Sequence, residues 1–326
     1  HPATAASRRS HQNASPGDEA REMDDGFVWS RSLPLSHPAI PAITALAYLL
    51  ACAAHNSWRL PSRAARSAER VQPAALSAAG ASWLDGAAVV HNALLIGFSA
   101  LVCVCSSRHF ARVLWEHGLH SFLCPPPLGH PCSGAPLRGP LFWWCYVFYA
   151  SKYYELVDTL LLVLRRKRVI LLHAFHHAAM PLVMWLCFEF GCGMPLMGLA
   201  TMNAFVHVVM YAYYLAAAMR LQPPLWWKRK ITALQLFQFS IGGCGASYFW
   251  AHYFAPPRAW LGLATWPPVH YTPGCAGGDV RVLFVGDCMN CALIVLFGQF
   301  YFRSYLRGSR PVSHLPAAPK PVAKRA

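Results

Sequence analysis

Three histidines lie within five residues of an otherwise apolar stretch of this chain. His173, His176 and His177 have offsets of zero, three and four residues, which places their rings on one face of an α-helix. An imidazole in the hydrocarbon of a bilayer is costly, so a cluster of them in a membrane span indicates a functional site. The pattern predicts acid–base or ligand chemistry inside a helical bundle.

Three further segments carry polar residues at helical spacing. These residues are Lys152, Glu155, Asp158 and Thr159 in the first segment, Asn203, His207, Tyr211 and Tyr214 in the second, and Thr232, Gln235 and Gln238 in the third. At about 1.5 Å per residue from the nearest basic loop, Asp158, His176 and both glutamines lie roughly 10 Å deep, and Lys152 and His207 lie near 20 Å. The four stripes therefore predict one polar chamber, with apolar space beyond it.

Each stripe taken alone also has a structural explanation. Lys152 and Glu155 can form a mutually neutralised pair, and the Gln and Asn side chains can join helices by hydrogen bonds. His207 can be a satisfied core histidine, and Tyr214 can belong to an interfacial aromatic belt. Convergence of four stripes at compatible depths favours the functional interpretation.

The composition is that of an integral membrane protein. The chain has 326 residues, of which 56% are hydrophobic and 13% are charged, whereas a soluble domain carries about 25% charged residues. Seven apolar segments approach the roughly 20 residues that span a bilayer: 36–54, 86–106, 140–164, 169–190, 194–219, 231–255 and 281–305. The sequence thus predicts an all-α membrane domain over 34–306, a disordered tail over 1–33 and a basic tail over 307–326.

The formal net charge of +15 resides in short clusters between the apolar segments. Such clusters determine membrane orientation and suit an anionic ligand, and they do not indicate nucleic-acid binding. With the N-terminus outside, the cytosolic segments hold eighteen Lys and Arg residues and the opposite segments hold eight. The prediction is an outer N-terminus and a cytosolic C-terminus.

A metal site is the main chemical alternative. Membrane desaturases and hydroxylases also use an HxxHH box, and two iron ions need several imidazole ligands in addition. The other candidate histidines within predicted spans, His91, His207 and His252, are isolated, and His117 and His120 fall on the opposite side of the membrane. We therefore expect neither a metal nor any other cofactor. A site for a single metal ion is kept as an alternative.

Four motifs together resemble those of the membrane fatty-acid elongases. The patterns KxxExxDT, HxxHH, NxxxHxxMYxYY and TxxQxxQF occur in that order at Lys152–Thr159, His173–His177, Asn203–Tyr214 and Thr232–Phe239. The resemblance implies seven transmembrane helices, six of them around a closed acyl tunnel, in the endoplasmic reticulum membrane with a lumenal N-terminus. It implies condensation of malonyl-CoA with a long-chain acyl-CoA, beside separate ketoreductase, dehydratase and enoyl-reductase enzymes.

The resemblance also implies roles for residues. His176 is the expected nucleophile, assisted by His173, His177, His207 and Asp158, in an acyl-imidazole mechanism or a direct ternary complex. The expected substrate-binding residues are Lys152, Glu155, Asn203, Tyr211, Tyr214, Thr232, Gln235, Gln238, Arg165, Lys228 and Lys230. A lumenal disulfide between Cys124 and Cys275 is plausible in an oxidising compartment, with Cys132 as the rival partner.

Two other classes stay as alternatives, a seven-helix receptor and a di-iron desaturase or hydroxylase. A receptor has no reason to place three histidines and a Lys/Glu/Asp stripe near one face, and it would turn nothing over. A desaturase would require iron and an electron donor.

Overall fold

The computed structural model describes residues 27–58, 78–124, 139–191, 193–254 and 279–306. Within these ranges the chain is almost entirely helical. The helices are α1 (Ala39–Trp58), α2 (Ala78–Leu123), α3 (Pro140–Tyr154), α4 (Leu156–Leu164), α5 (Leu171–Phe190), α6 (Gly193–Ala218), α7 (Leu225–Tyr253) and α8 (Val280–Tyr301), followed by a π-helical turn at Phe302–Leu306.

Counting α3 and α4 as one interrupted helix, the described residues form the seven helices that the sequence predicts. Five of them, α1, α2, α5, α6 and α8, are long and apolar enough to cross a membrane. The halves of the interrupted helix are 15 and 9 residues long, and α7 is less apolar because its first two turns contain Lys228, Arg229 and Lys230. The fold class is confirmed.

Six helices close into a ring. Around the ring α2 packs on α6, α6 on α7, α7 on α8, α8 on α5, and α5 on α3. Helix α3 packs on α2 and so completes the ring. Helix α1 is outside the ring and packs against α5. The arrangement agrees with six helices surrounding a common interior, and the acyl tunnel within that interior stays a prediction.

Helix α2 is longer than predicted. It continues past residue 106 to Leu123, although Arg108, Arg112 and Glu116 make this part polar. Those three residues recur every four positions, so one exposed helical face can carry them all. The helix is interrupted near its end at Gly118, whose φ of 75° lies in the left-handed region that glycine adopts without strain.

The segment 27–38, here called the N-terminal strap, packs against α3 and α5. Phe27 is buried beside Tyr146 and Trp143, and Trp29 stacks on Phe188 with ring centroids 4.8 Å apart. Three successive strap carbonyls accept hydrogen bonds, those of Pro34, Leu35 and Ser36 from Tyr146, Tyr149 and Trp185. The predicted disordered tail is therefore wrong for residues 27–33, because Phe27 is buried and Trp29 is partly buried and stacked; residues 1–26 lie outside the described ranges.

The break between α3 and α4 falls at Glu155, whereas the sequence predicts one continuous helix over 140–164. The Asp158 amide bonds to the Glu155 carbonyl three residues earlier, at 3.0 Å, instead of making the four-residue bond of an α-helix. The Glu155 side chain is buried against Lys152. Hydropathy and residue spacing do not distinguish a three-residue hydrogen bond from the four-residue bond of an α-helix, so the break could not be predicted from them.

Two of the predicted cytosolic segments, those that begin at Arg165 and Arg220, meet at one end of the bundle, here called the basic end. Asp85 accepts hydrogen bonds from Arg165 at 2.9 Å and from Arg220 at 2.7 Å. Next to them the side-chain amide of Asn56 bonds both to the Val169 carbonyl, at 2.8 Å, and to the Val169 amide, at 3.1 Å. This clamp fixes the entry of α5, and with it the position of the histidine box.

Candidate active site

The three histidines of the box lie close together on α5. The rings of His173 and His177 have centroids 4.3 Å apart, and the ring of His176 meets that of His177 edge-on at 5.2 Å. His177 is buried, while His173 and His176 are partly accessible. The cluster therefore combines a sheltered environment with space beside two of its rings.

A buried ion pair lies at the end of α3. The Lys152 ammonium donates to Glu155 Oε1 at 2.7 Å and to Asn203 Oδ1 at 3.4 Å. Lys152 and Glu155 are each only 2% exposed. His207 Nδ1 lies 3.5 Å from the same Glu155 oxygen, while Glu155 Oε2 has no hydrogen-bond partner among the residues that the structure describes. Two motifs thus meet through one carboxylate.

Hydrogen bonds connect the motif of the ion pair to the two other motifs. Its Thr159 hydroxyl lies 2.7 Å from His173 Nε2 in the box, and its Lys152 donates to Asn203 on α6. The structure therefore brings together residues of three motifs, carried by α3 and α4, by α5 and by α6.

Asp158 bridges two other helices. Its Oδ1 lies 3.0 Å from His91 Nε2 on α2, and its Oδ2 accepts a hydrogen bond of 2.7 Å from the Tyr211 hydroxyl on α6. The resemblance implies that Asp158 assists His176. In the structure the histidine that Asp158 contacts is His91, which lies outside the box.

Thr159 connects the box to α1. Its hydroxyl lies 2.7 Å from His173 Nε2 and 2.9 Å from the Tyr48 hydroxyl. Sequence reasoning missed Tyr48, although Tyr48, Cys52 and Asn56 recur every four residues and so share a face of α1. All three lie on the side that meets α5 or the segment before it.

The fourth motif, on α7, is less closely connected. Thr232 bonds to the Lys228 carbonyl and to Tyr305, and Gln235 donates to the sulfur of Met210 at 3.5 Å. Gln238 is buried, and its Oε1 has no hydrogen-bond partner within the described ranges. Met210 lies inside the α6 motif, so the link to the site passes through α6.

The basic residues expected to bind substrate are differently placed. Arg165 is held by Asp85, and Lys228 lies over the ring of Phe300 at 5.9 Å. Lys230 lines a groove of about 390 Å³ between α6 and α7, beside Trp227. Tyr214 is 42% exposed and packs edge-on against Tyr211.

An apolar groove lies on another face of α5. It has a volume of about 370 Å³ and lies between α5 and α8, where it is lined by Phe175, Ala179, Leu182, Val183, Leu186, Val285, Cys288 and Met289. Phe175 precedes His176 in the chain, and adjacent residues of a helix point about 100° apart. The groove therefore follows a face of α5 that differs from the face of the box.

Among the residues that the structure describes, no group of three or more His, Cys, Asp or Glu side chains is placed to hold a metal ion.

Cys124, at the end of α2, is disulfide-bonded. Cys275 and Cys132 both lie outside the described ranges, so the predicted pairing with Cys275 stays a prediction.

Comparison with known proteins agrees with the motifs. "Fatty acid elongase sre1" of Dictyostelium discoideum is 32% identical over 229 residues, which are 70% of this chain and 75% of that protein. "Very long chain fatty acid elongase 7" of Rattus norvegicus is 31% identical over 235 residues, 70% of this chain and 72% of that protein. No solved structure matches the chain.

The sequence profile of the GNS1/SUR4 family matches residues 33–313. This range includes the six-helix ring, α1 and all four motifs. The chain therefore belongs to the GNS1/SUR4 family.

Proposed function

We propose that the protein is the condensing enzyme of fatty-acid elongation. It joins malonyl-CoA to a long-chain acyl-CoA and releases 3-ketoacyl-CoA, CO2 and CoA. The observation that carries the proposal is the contact, inside the helix ring, of the motif that holds the buried Lys152–Glu155 pair with both the His173–His177 box and His207. Membership of a family whose relatives are named fatty acid elongases supports it.

The proposed reaction has two stages. In the first, the neutral imidazole of His176 attacks the acyl thioester, the C–S bond breaks, and the imidazole proton passes to the CoA sulfur. In the second, malonyl-CoA loses CO2, and the resulting enolate attacks the acyl carbonyl and breaks its C–N bond. The imidazole then recovers a proton from solvent, so the cycle consumes one proton.

The neighbouring residues have supporting roles in this mechanism. His173 and His177 orient or activate His176, and His207 with Asn203 stabilises the enolate or the tetrahedral oxyanion. Lys152 and Glu155 hold this group together in the interior. The remaining polar residues of the motifs, Tyr211, Tyr214, Thr232, Gln235 and Gln238, contact the substrates.

The two parts of an acyl-CoA need different surroundings. The acyl chain would lie in an apolar tunnel within the helix ring, with its thioester at His176. The basic end provides Arg165, Lys228 and Lys230 for the phosphates of CoA, since guanidinium and ammonium groups bind phosphate oxygens well. The CoA must then enter from the basic end, which the proposal places in the cytosol.

The first experiment detects the acyl-enzyme. Detergent-purified protein receives a long-chain acyl-CoA in the presence of a chelator, and its intact mass is measured before malonyl-CoA is added. We expect an added acyl mass in wild type, discharged as 3-ketoacyl-CoA when malonyl-CoA arrives. His176→Ala should show neither adduct nor product, whereas the matched control His252→Ala, on α7, should show both.

The outcomes separate the parts of the proposal. Product without an adduct would retain the condensation and replace the acyl-imidazole by a ternary complex. Loss of product only when the chelator is present would contradict metal-free chemistry. Absence of adduct and product across a range of chain lengths would overturn the function.

The proposed location is the endoplasmic reticulum membrane, with a lumenal N-terminus and the basic end in the cytosol. There the ketoreductase, dehydratase and enoyl-reductase of the elongation cycle would process the product. Protease treatment of sealed microsomes tests the orientation: a tag after residue 326 should be removed, and a tag before residue 1 should be protected. The reverse pattern would contradict the proposed orientation.

A further inference from the structure

His91 is a buried polar residue on α2, a helix that contributes nothing to the four motifs. It is 4% exposed, and its Nε2 lies 3.0 Å from Asp158 Oδ1. A carboxylate oxygen is an acceptor, so Nε2 carries the proton and donates it. The imidazole thus occupies one oxygen of the Asp158 carboxylate.

The other oxygen of Asp158 holds Tyr211. The Tyr211 hydroxyl donates to Oδ2 at 2.7 Å, and the Tyr211 ring meets the His207 ring edge-on at 5.5 Å. Because one carboxylate accepts from both residues, rotation of Asp158 would break both hydrogen bonds. His91 therefore restrains the carboxylate that orients Tyr211, next to a histidine proposed to stabilise the reaction intermediate.

Packing alone does not account for a histidine at this position. Its Nδ1 is buried and has no hydrogen-bond partner in the described part of the chain, and an unsatisfied buried polar atom is unfavourable. The ring also contacts Tyr154 and Tyr211, with centroids 5.2 and 6.3 Å away, contacts that an apolar side chain would make without this penalty. The feature that only a polar residue supplies is the hydrogen bond to Asp158.

We propose that His91 is a positioning residue of the condensation site. It acts through Asp158 to fix the Tyr211 hydroxyl beside His207, and it does not itself touch the reacting atoms. This inference rests on the proposed function, because the condensation is the reaction whose rate it affects.

Two substitutions separate positioning from packing. His91→Gln keeps an amide donor where Nε2 lies, whereas His91→Leu removes it. We expect His91→Leu to lower kcat by about 10- to 100-fold, the range for a residue that orients a functional group, while the KM for malonyl-CoA changes by less than about threefold. His91→Gln should restore most of the lost rate.

Leu95→Ala is the matched control. Leu95 lies one turn further along the same face of α2 and is 2% exposed, so its truncation disturbs packing without touching the Asp158 network. It should lower the thermal unfolding midpoint and leave kcat close to wild type. If His91→Leu does not yield folded protein, His91→Asn, whose shorter amide does not reach Asp158, replaces it.

A double-mutant cycle tests the route through Tyr211. In a Tyr211→Phe background the His91→Leu change should produce no further loss of kcat, because the group that it positions is already absent. Independent, multiplicative losses would overturn the inference, as would equal losses in His91→Gln and His91→Leu. Unchanged kcat in His91→Leu overturns the inference alone, whereas a wild type that forms no 3-ketoacyl-CoA overturns the proposed function together with it.

Discussion

At the scale of single residues, the Lys152–Glu155 pair combines charge with almost complete burial. Each residue is 2% exposed, and the two charged groups are 2.7 Å apart. Removing either partner leaves the other charge buried and uncompensated, which is far less favourable than removing both. The pair therefore acts on stability as one unit, whatever it contributes to the reaction.

We predict that Lys152→Met and Glu155→Gln each destabilise the protein by about 3–5 kcal/mol, the cost of breaking a buried ion pair. The double variant should be destabilised by less than the sum of the two single changes. Denaturant unfolding of the four proteins in detergent measures this coupling. Losses that simply add would show that the two side chains do not stabilise each other.

The site was only partly predictable at this scale. Spacing within one helix identified His173, His176 and His177 and the Lys152–Glu155 pair, because residues three or four apart share a face. It could not identify His91 or Tyr48, each of which is joined to the site by a hydrogen bond to a different helix. The packing of the helices determines which helix lies opposite a given face. The spacing of residues within one helix carries no information about this packing.

At the scale of helices, the first turn of α4 connects four other helices through two adjacent residues. Asp158 reaches α2 and α6, and Thr159 reaches α5 and α1. Adjacent residues on a helix point about 100° apart, so they contact different neighbours. From spacing alone, Asp158 and Thr159 are expected to belong to one polar stripe with Lys152 and Glu155. In the structure the helix breaks at Glu155, and Asp158 and Thr159 point toward different neighbouring helices.

The Thr159 hydroxyl can be tested by an isosteric change. Thr159→Val keeps the shape of the side chain and removes the hydrogen bonds to His173 and Tyr48. We expect the rate of acyl-enzyme formation to fall about tenfold, since one hydrogen bond is worth about 1–1.5 kcal/mol and 1.4 kcal/mol corresponds to a factor of ten. Quenched-flow mass spectrometry gives that rate.

Thr159→Ser is the matched control, because it retains the hydroxyl and should acylate at close to the wild-type rate. Tyr48→Phe should show a loss comparable to that of Thr159→Val. Wild-type acylation in Thr159→Val would mean that the box does not depend on this contact.

At the scale of the whole molecule, contacts between distant parts of the chain stabilise the end opposite the basic end. Arg31 pairs with Glu189, and Trp29 donates to the same carboxylate at 3.3 Å. The Asp279 amide bonds to the Gly191 carbonyl at 2.9 Å. Hydropathy located the helices because it can be averaged over about 20 residues in each of them. It could not show that the N-terminal segment, which is mostly polar over residues 1–33, supplies the strap.

Trp29→Ala should destabilise the protein by about 1–3 kcal/mol, because it removes a ring stacked on Phe188 and partly buried. Trp58→Ala is the matched control, since Trp58 is 96% exposed and its loss should change stability by less than about 0.5 kcal/mol. Thermal unfolding in detergent compares the two variants. Equal midpoints would show that the strap does not contribute to stability.

The disulfide of Cys124 is a second connection at this end. Reduction should lower the free energy of unfolding by about 2–4 kcal/mol, the usual contribution of a disulfide. Without reductant, Cys124→Ser should be as unstable as the reduced wild type. Adding reductant should not lower its free energy of unfolding further. Peptide mapping without reduction identifies the partner, for which we expect Cys275; a peptide linking Cys124 to Cys132 would contradict that pairing.

The closed ring also determines when the interior can form during synthesis. Helix α8 is the last to be made, and it packs between α7 and α5, so the ring lacks one wall until the ribosome has passed residue 301. At about 5–20 residues per second, roughly 10–40 s separate the start of α2 from the start of α8. During that interval the histidines of α5 and the buried ion pair lack the enclosure that the finished ring provides. A nascent chain stalled before α8 should therefore be the form that membrane quality-control factors bind most strongly.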